Sequence, residues 1–186
     1  MRRKIPDCQK AGLTLVEAML GLTVVLIVGG LAFPQINRYL KVYSLDSAAQ
    51  TLSSSLEVAR YSAISRKRNM VIQFYVPTSR YEVFEDRNGN GIHEVDEPLT
   101  GKYTLPRQVQ FSGTALFGPP SNPSSPVTDP VTFGSDRIVL NPEGKVNGGI
   151  GTIYVQNSSG DAFAFSYNLA GRLKVYQWNR FAQTWK

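Results

Sequence analysis

The chain carries one stretch that lipid, rather than a folded core, best accommodates. From Ala18 to Phe33 the only polar side chain is Thr23, and with Leu13 to Val16 the stretch reaches 21 residues. About 20 apolar residues cross a bilayer as helix, so residues 13–33 are expected to be a membrane span. Arg2, Arg3, Lys4 and Lys10 precede it, opposed only by Asp7. Positive charge beside a span holds that end in the cytoplasm, which sends everything after Phe33 outward. A secretory signal would be shorter and would carry its small-residue cut after the apolar run. Here the small pair Ala11-Gly12 lies before it, so the span is expected to stay in the mature protein.

Glu17 interrupts this greasy segment near its edge. An ionised carboxylate within a span costs several kcal/mol, about 2.5–3.5 at mid-helix, unless it reaches water or a partner. One reading has it snorkel to the interface. The other follows from Gly12, Leu13, Thr14, Leu15, Val16 and Glu17 together, which resemble the prepilin leader of type IV pilins and type II secretion pseudopilins. The resemblance implies that a prepilin peptidase, which is also the methyltransferase, cuts between Gly12 and Leu13 and methylates the new amine. It further implies that Glu17 meets that amine on an adjacent subunit. Cleavage would leave amine and carboxylate four residues, about one helical turn, apart. Leu13 departs from the phenylalanine usual in the family.

With the leader and span set aside, about 150 residues remain, enough for one domain with its own core. Removing residues 1–12 takes away four basic and one acidic residue and lowers the formal charge from +6 to +3, a weak pull on acidic partners. The one cysteine, Cys8, lies in the leader, so no disulfide is expected in the exported domain.

Beyond Pro34, an expected kink, Leu45, Ala48, Ala49, Leu52, Leu56, Ala59 and Ala63 recur at three- and four-residue spacing. That is the apolar stripe of a packed helix, with Asp46, Gln50, Ser54 and Arg60 largely off it. The pattern runs to about Arg66. Joined to the span, it predicts one helix of more than 50 residues, roughly 80 Å at 1.5 Å per residue.

From Asn69 the pattern turns to short strands: 70–76, 80–84, an extended piece at 103–111 broken at Pro106, then 131–133, 137–140, 151–156, 162–167 and 172–177. Asn141–Gly144, Asn157–Gly160 and Leu169–Gly171 are turns. The order Val131-Thr-Phe, Asn141-Pro-Glu-Gly-Lys-Val146, Gly151-Thr-Ile-Tyr-Val155 and Gly171-Arg-Leu-Lys-Val175 resembles the head of the GspH/FimT group of minor pseudopilins and pilins. The expected fold is α+β, a pilin-like lollipop in which a long N-terminal transmembrane helix packs against an antiparallel β-sheet head. Its parts are a cleaved leader at 1–12, the span at 13–33, an amphipathic helix at 34–66 and a β-rich periplasmic head at 67–186. Phe117–Pro130, rich in proline and serine, reads as an exposed connector.

Two clusters invite a ligand. Asp86, Asn88, Asn90, the Ile92 carbonyl and Glu97 have the spacing of a calcium loop, with Gly91 at the sharp turn and Glu94 able to act through water. Strand-like flanks, His93 and Pro98 depart from an EF-hand, and an Asn-Gly turn in a wet hairpin connection is the competing reading. Arg172, Lys174, Arg180 and Lys186 lie close in sequence to Tyr176, Trp178, Phe181 and Trp185, as cations for phosphate and rings for base stacking would. Alternation of Arg172 and Lys174 with Leu173 and Val175 equally fits an ordinary half-exposed strand.

His93 is the only histidine, and no nucleophile motif or phosphate loop accompanies it, so an enzyme is not expected and no cofactor is required. The resemblance implies a structural subunit near the tip of a type II secretion pseudopilus. It would be anchored in the bacterial inner membrane, assemble with other pseudopilins and act on exported proteins. The alternative is a minor pilin of a type IV pilus, in assembly, twitching or DNA uptake, with DNA as a partner in that reading alone.

Overall fold

The structure is a computed structural model that describes residues 12, 14–121 and 124–186, with the helix path alone for residues 31–34. Helix α1 spans Leu15–Arg66. Thr14 opens it as a cap: its Oγ1 accepts the Glu17 amide at 3.2 Å and its carbonyl accepts the Ala18 amide at 3.1 Å. Capping in this way satisfies donors that the first turn cannot. Helical structure continues through Pro34, so the proline does not end the element.

The chain divides into two compact units, residues 1–39 and 40–186, with the boundary inside α1. In the first unit the large apolar side chains from Leu15 to Val28 are 59–77% exposed. The helix is long and apolar enough to cross a membrane. Residues 1–11 of the leader, Cys8 among them, and Leu13 lie outside the described residues.

In the second unit the helix buries Leu45, Ala48, Ala49, Leu52, Leu56, Ala59 and Ala63, the last four fully. Two antiparallel sheets receive this face. The first contains β1 (Asn69–Tyr75), β2 (Arg80–Asp86), β3 (Leu99–Thr104), β7 (Arg137–Leu140) and β8 (Val146–Asn147), in the order β3-β2-β1-β7-β8. The second contains β4 (Val109–Phe111), β9 (Gly151–Asn157), β10 (Ala162–Tyr167), β11 (Leu173–Asn179) and β12 (Thr184–Trp185), in the order β12-β11-β10-β9-β4. Met70, Ile72 and Phe74 of β1 share one core with Ile153, Val155, Phe165 and Tyr167 of the second sheet and with the helix stripe. Period-two alternation explains the partition, because one face of each strand points inward and the other away.

Polar ties fix the helix in this groove. Ser55 Oγ and Tyr81 Oη are 2.9 Å apart, the Tyr167 hydroxyl donates to the Leu56 carbonyl at 3.2 Å, and Arg60 Nε donates to the Gly144 carbonyl at 3.1 Å. Arg60, placed off the apolar stripe by its spacing, is thus half-buried and holds a turn of the head. Gly171, at φ +69°, lies so close to the Gly144 carbonyl that a Cβ there would run into it. Arg66 and Arg87 flank the buried Glu85 at 3.4 and 3.2 Å. Burial pushes its carboxyl up, but the two guanidinium groups outweigh that and hold it below the usual range.

Several elements differ from the sequence expectation. The extended piece at 103–111 is two strands of different sheets, β3 and β4, parted at Pro106, whose carbonyl accepts the Val109 amide. Val131 makes a single bridge to Ile153 instead of a strand. The 117–130 connector contains a short ribbon, β5 (Phe117–Gly118) paired with β6 (Ser125–Pro126). Preceding Leu116 is 1% exposed, and Val127 packs beside it in a second small core with Tyr154, Ala162, Ala164 and Trp178.

Truncation of Leu52 or Leu56 to alanine is expected to cost about 2–5 kcal/mol, whereas Tyr61→Ala, on the exposed helix face, should change stability by less than about 0.5 kcal/mol. Chemical denaturation of the purified variants measures both. Burial pushes the Tyr81 phenol up to about 12, partly opposed by Ser55, and pushes Tyr167 up as well. The folded state therefore disfavours the phenolates. This stabilising contribution is complete below the ordinary value of 10.0 and is lost as pH climbs through about 12. Denaturation midpoints should fall over that window, and the fall should shrink in Tyr81→Phe; a flat profile would contradict the assignment.

Candidate functional site

Glu17 occupies the first turn of α1, third after the Thr14 cap. Thr14-x-x-Glu17 is the spacing of a capping box, a signal present in the sequence that the membrane reading passed over. A carboxylate in a helix's first turn lies beside the partial positive charge of the helix N-terminus. Glu17 and Gly12 are both exposed.

The 86–97 loop joins β2 to β3, so its flanks are strands. Asp86 Oδ1 accepts the Gly89 amide at 2.7 Å and Oδ2 the Gly91 amide at 3.0 Å. Asn88 Oδ1 accepts the Asn90 amide at 2.9 Å, and Asn90 Oδ1 the Ile92 amide at 2.7 Å. Glu97 closes the loop, taking the Arg87 amide on Oε1 at 2.8 Å and the Glu94 amide on Oε2 at 3.2 Å. Asp86 and Glu97 are 3% and 4% exposed. Gly91 takes φ +70°, which an L side chain rarely adopts, and its carbonyl accepts Arg137 Nη1 at 2.6 Å. Sequence spacing did not point to Arg137. Each carboxylate oxygen can accept a second contact, so the same oxygens remain able to face a cation. His93 is taken up locally: its Nε2 lies 3.2 Å from the Glu97 carbonyl, and its ring sits 5.0 Å from Phe84. No group of three His, Cys, Asp or Glu that could hold a metal occurs among the described residues, and the loop's other oxygens come from asparagines and backbone.

The four basic residues near the C-terminus do not form one patch. Arg172 and Lys174 line a cleft of about 330 Å³ with Tyr176, Asn168, Ser166 and Thr152. Arg180 lies beyond the other end of β11, with its Nη1 3.9 Å from Asp161. Lys186 exchanges both backbone hydrogen bonds with Gln177 at 2.9 Å. The aromatic neighbours also part company: Trp178 is buried beside Trp185, with ring centroids 5.0 Å apart, Trp185 donates to the Phe117 carbonyl at 2.6 Å, and Phe181 is 97% exposed.

No curated protein matches the sequence. Among solved structures, the minor pseudopilin EpsH of the type 2 secretion system of Vibrio cholerae is 15% identical over 71% of this chain and 95% of its own, with a TM-score of 0.49. The type IV minor pilin FimU of Pseudomonas aeruginosa is 16% identical over 74% of this chain and 91% of its own, with a TM-score of 0.50. At such identity the FimU likeness is one of fold. The family model described as Type II transport protein GspH matches residues 48–171, more than half of the chain and most of its head, so the chain belongs to the GspH family of minor pseudopilins and pilins.

Proposed function

We propose that the chain is a minor pseudopilin of a type II secretion system, held in the bacterial inner membrane with its amino end in the cytoplasm and its head in the periplasm. It would act at or near the tip of a short filament that supports export of folded proteins. The observation that carries this reading is the GspH match over residues 48–171, which takes in most of the helix stripe, the first sheet and β4, β9 and β10 of the second. The work is structural and recognitional: α1 supplies the anchor and the head presents surfaces to other subunits and to exported protein. FimU, a type IV minor pilin, supports the neighbouring reading of a minor pilin in pilus assembly, twitching or DNA uptake. Deletion of the gene is expected to block exoprotein release while twitching and DNA uptake persist; the reverse phenotype would replace the first reading with the second.

Processing belongs to the same proposal. A prepilin peptidase would cut between Gly12 and Leu13 and the Leu13 amine would be methylated. Intact mass of membrane-extracted protein tests this, since a mature chain retaining Cys8 would defeat it. Glu17, in the first turn after its Thr14 cap, would then attract the amine of a neighbouring subunit. Glu17→Gln is expected to lose incorporation into the filament with unchanged stability of the head. Equal incorporation of this variant in a cross-linking assay would remove that role.

The 86–97 loop is also proposed to take calcium as a structural brace through Asp86, Asn88, Asn90, the Ile92 carbonyl and Glu97. What supports it is the chain of turns that already directs Asp86, Asn88 and Asn90 at the loop's own amides. Calcium at about a hundredfold excess over its dissociation constant adds about 2.7 kcal/mol, several degrees of melting temperature for a domain of this size. Glu97→Gln should abolish the calcium-dependent rise. Superimposable melts of the unmodified protein in calcium and in chelator would leave the loop a plain turn. Asp86→Ala should cost about 1–3 kcal/mol with or without calcium, because two amides lose their acceptor.

A further inference from the structure

The outward face of the second sheet carries a cleft that the filament reading does not use. Strand register lays Thr152, Ser166 and Lys174 in one row and Tyr154, Ala164 and Tyr176 in the next. The cleft opens where the first row meets Pro119, Ser121 and Thr132 and the turn before β11.

Its polar groups are biased toward donation. Asn168 Oδ1 is engaged by the Arg172 amide at 2.9 Å, which leaves the Asn168 amide nitrogen to donate. Thr132 Oγ1 both accepts the Thr152 amide at 2.8 Å and donates to the Thr152 carbonyl at 3.3 Å. Thr152 and Ser166 share one hydroxyl hydrogen bond at 2.8 Å, so one of their two hydrogens is left over. Arg172 and Lys174 are exposed and take part in none of the ion pairs found among the described residues. No Asp or Glu is among the described residues that line the cleft. At the rim Ile150 is 70% exposed, and Tyr176 offers a half-buried ring.

We propose that this cleft binds an acidic polypeptide segment, with a Glu or Asp carboxylate held by Arg172 and Lys174 and an adjoining apolar side chain laid against Ile150 and Tyr176. An arginine fork matches a carboxylate in two parallel hydrogen bonds, and a cleft of about 330 Å³ encloses side chains rather than a duplex. Nucleic acid fits less well. Its affinity grows with the number of phosphates neutralised, yet Arg180 faces Asp161 and lies six residues beyond Lys174, roughly 20 Å along an extended strand. The inference goes beyond the filament reading and holds for either machine.

The test uses the full chain in detergent micelles and follows the fluorescence anisotropy of a labelled poly-glutamate peptide, with a labelled oligothymidylate of equal charge and inorganic phosphate as competitors. Saturable peptide binding is expected. It should weaken about tenfold in the Arg172→Gln/Lys174→Gln pair and change less than about twofold in the Arg180→Gln/Lys186→Gln pair, which removes the same charge elsewhere. Circular dichroism checks the fold of each variant; if the first pair unfolds, Lys174→Gln alone should weaken binding about threefold. Absence of peptide binding, equal losses in the two pairs, or tighter oligothymidylate binding through Arg172 and Lys174 would overturn the proposal. Filament incorporation is not measured here, so such a failure would leave the Glu17 reading untouched.

Discussion

Burial of one helix face against two sheets is the constraint on which the second unit depends. Leu52, Leu56, Ala59 and Ala63 have no exposed surface, and their partners come from both sheets: Met70, Ile72 and Phe74 from one, Ile153, Val155 and Phe165 from the other. Neither sheet closes a core alone. The first presents a face to be covered, the second likewise, and α1 supplies the common apolar surface. The small residues Ala48, Ala49, Ala59 and Ala63 let backbone and side chains of the strands approach closely, which is why the stripe mixes alanine with leucine.

Polar groups at this interface are satisfied in pairs rather than excluded. Tyr81 and Tyr167 bring hydroxyls into the buried layer and place them on Ser55 and on the Leu56 carbonyl. No described buried side-chain nitrogen or oxygen is left without a partner. An unpaired polar group in such a layer would cost more than the hydrogen bond gains, so these contacts fix the rotation of the helix against the strands as much as they add stability. Arg60 does the same from the helix edge, gripping the Gly144 carbonyl, which in turn leaves room at Gly171 for no side chain.

The Glu17 turn, the 86–97 loop and the Arg172–Lys174 cleft lie outside that core. Glu17 stands in the first turn of an apolar segment whose side chains are open to their surroundings. The 86–97 loop projects from the β2–β3 connection, and the Arg172–Lys174 cleft lies on the outer face of the second sheet. Core and surface features can thus vary separately.

Local pattern was legible wherever one physical period dominated. The apolar run, the Leu45–Ala63 stripe and the alternation in 70–76, 151–156 and 162–167 each express a single geometry, and each could be read from residues a few positions apart. Four strands escaped, β5, β6, β8 and β12, each two residues long; β8 and β12 exist only because Val139, Leu140, Trp178 and Asn179 lie opposite them. The 117–130 connector looked exposed because proline and serine dominate it. Leu116 and Val127 at its ends nonetheless cover the outer sheet face, a contact between residues distant in sequence.

The sites divide along the same line. The 86–97 spacing was visible because its side-chain oxygens come from one short segment, but Arg137, 46 residues beyond the Gly91 carbonyl it holds, could not be. The basic residues near the C-terminus looked like one cluster because chain proximity says nothing of direction along a strand. By itself the sequence determined the apolar anchor, the helix face that must be buried and the strand-rich head, since each follows from local periodicity and composition. Only the tertiary structure decided that 103–111 is divided between two sheets and that Arg172 and Lys174 share a cleft apart from Arg180, because strand order and the pairing of distant segments arise from closing the core.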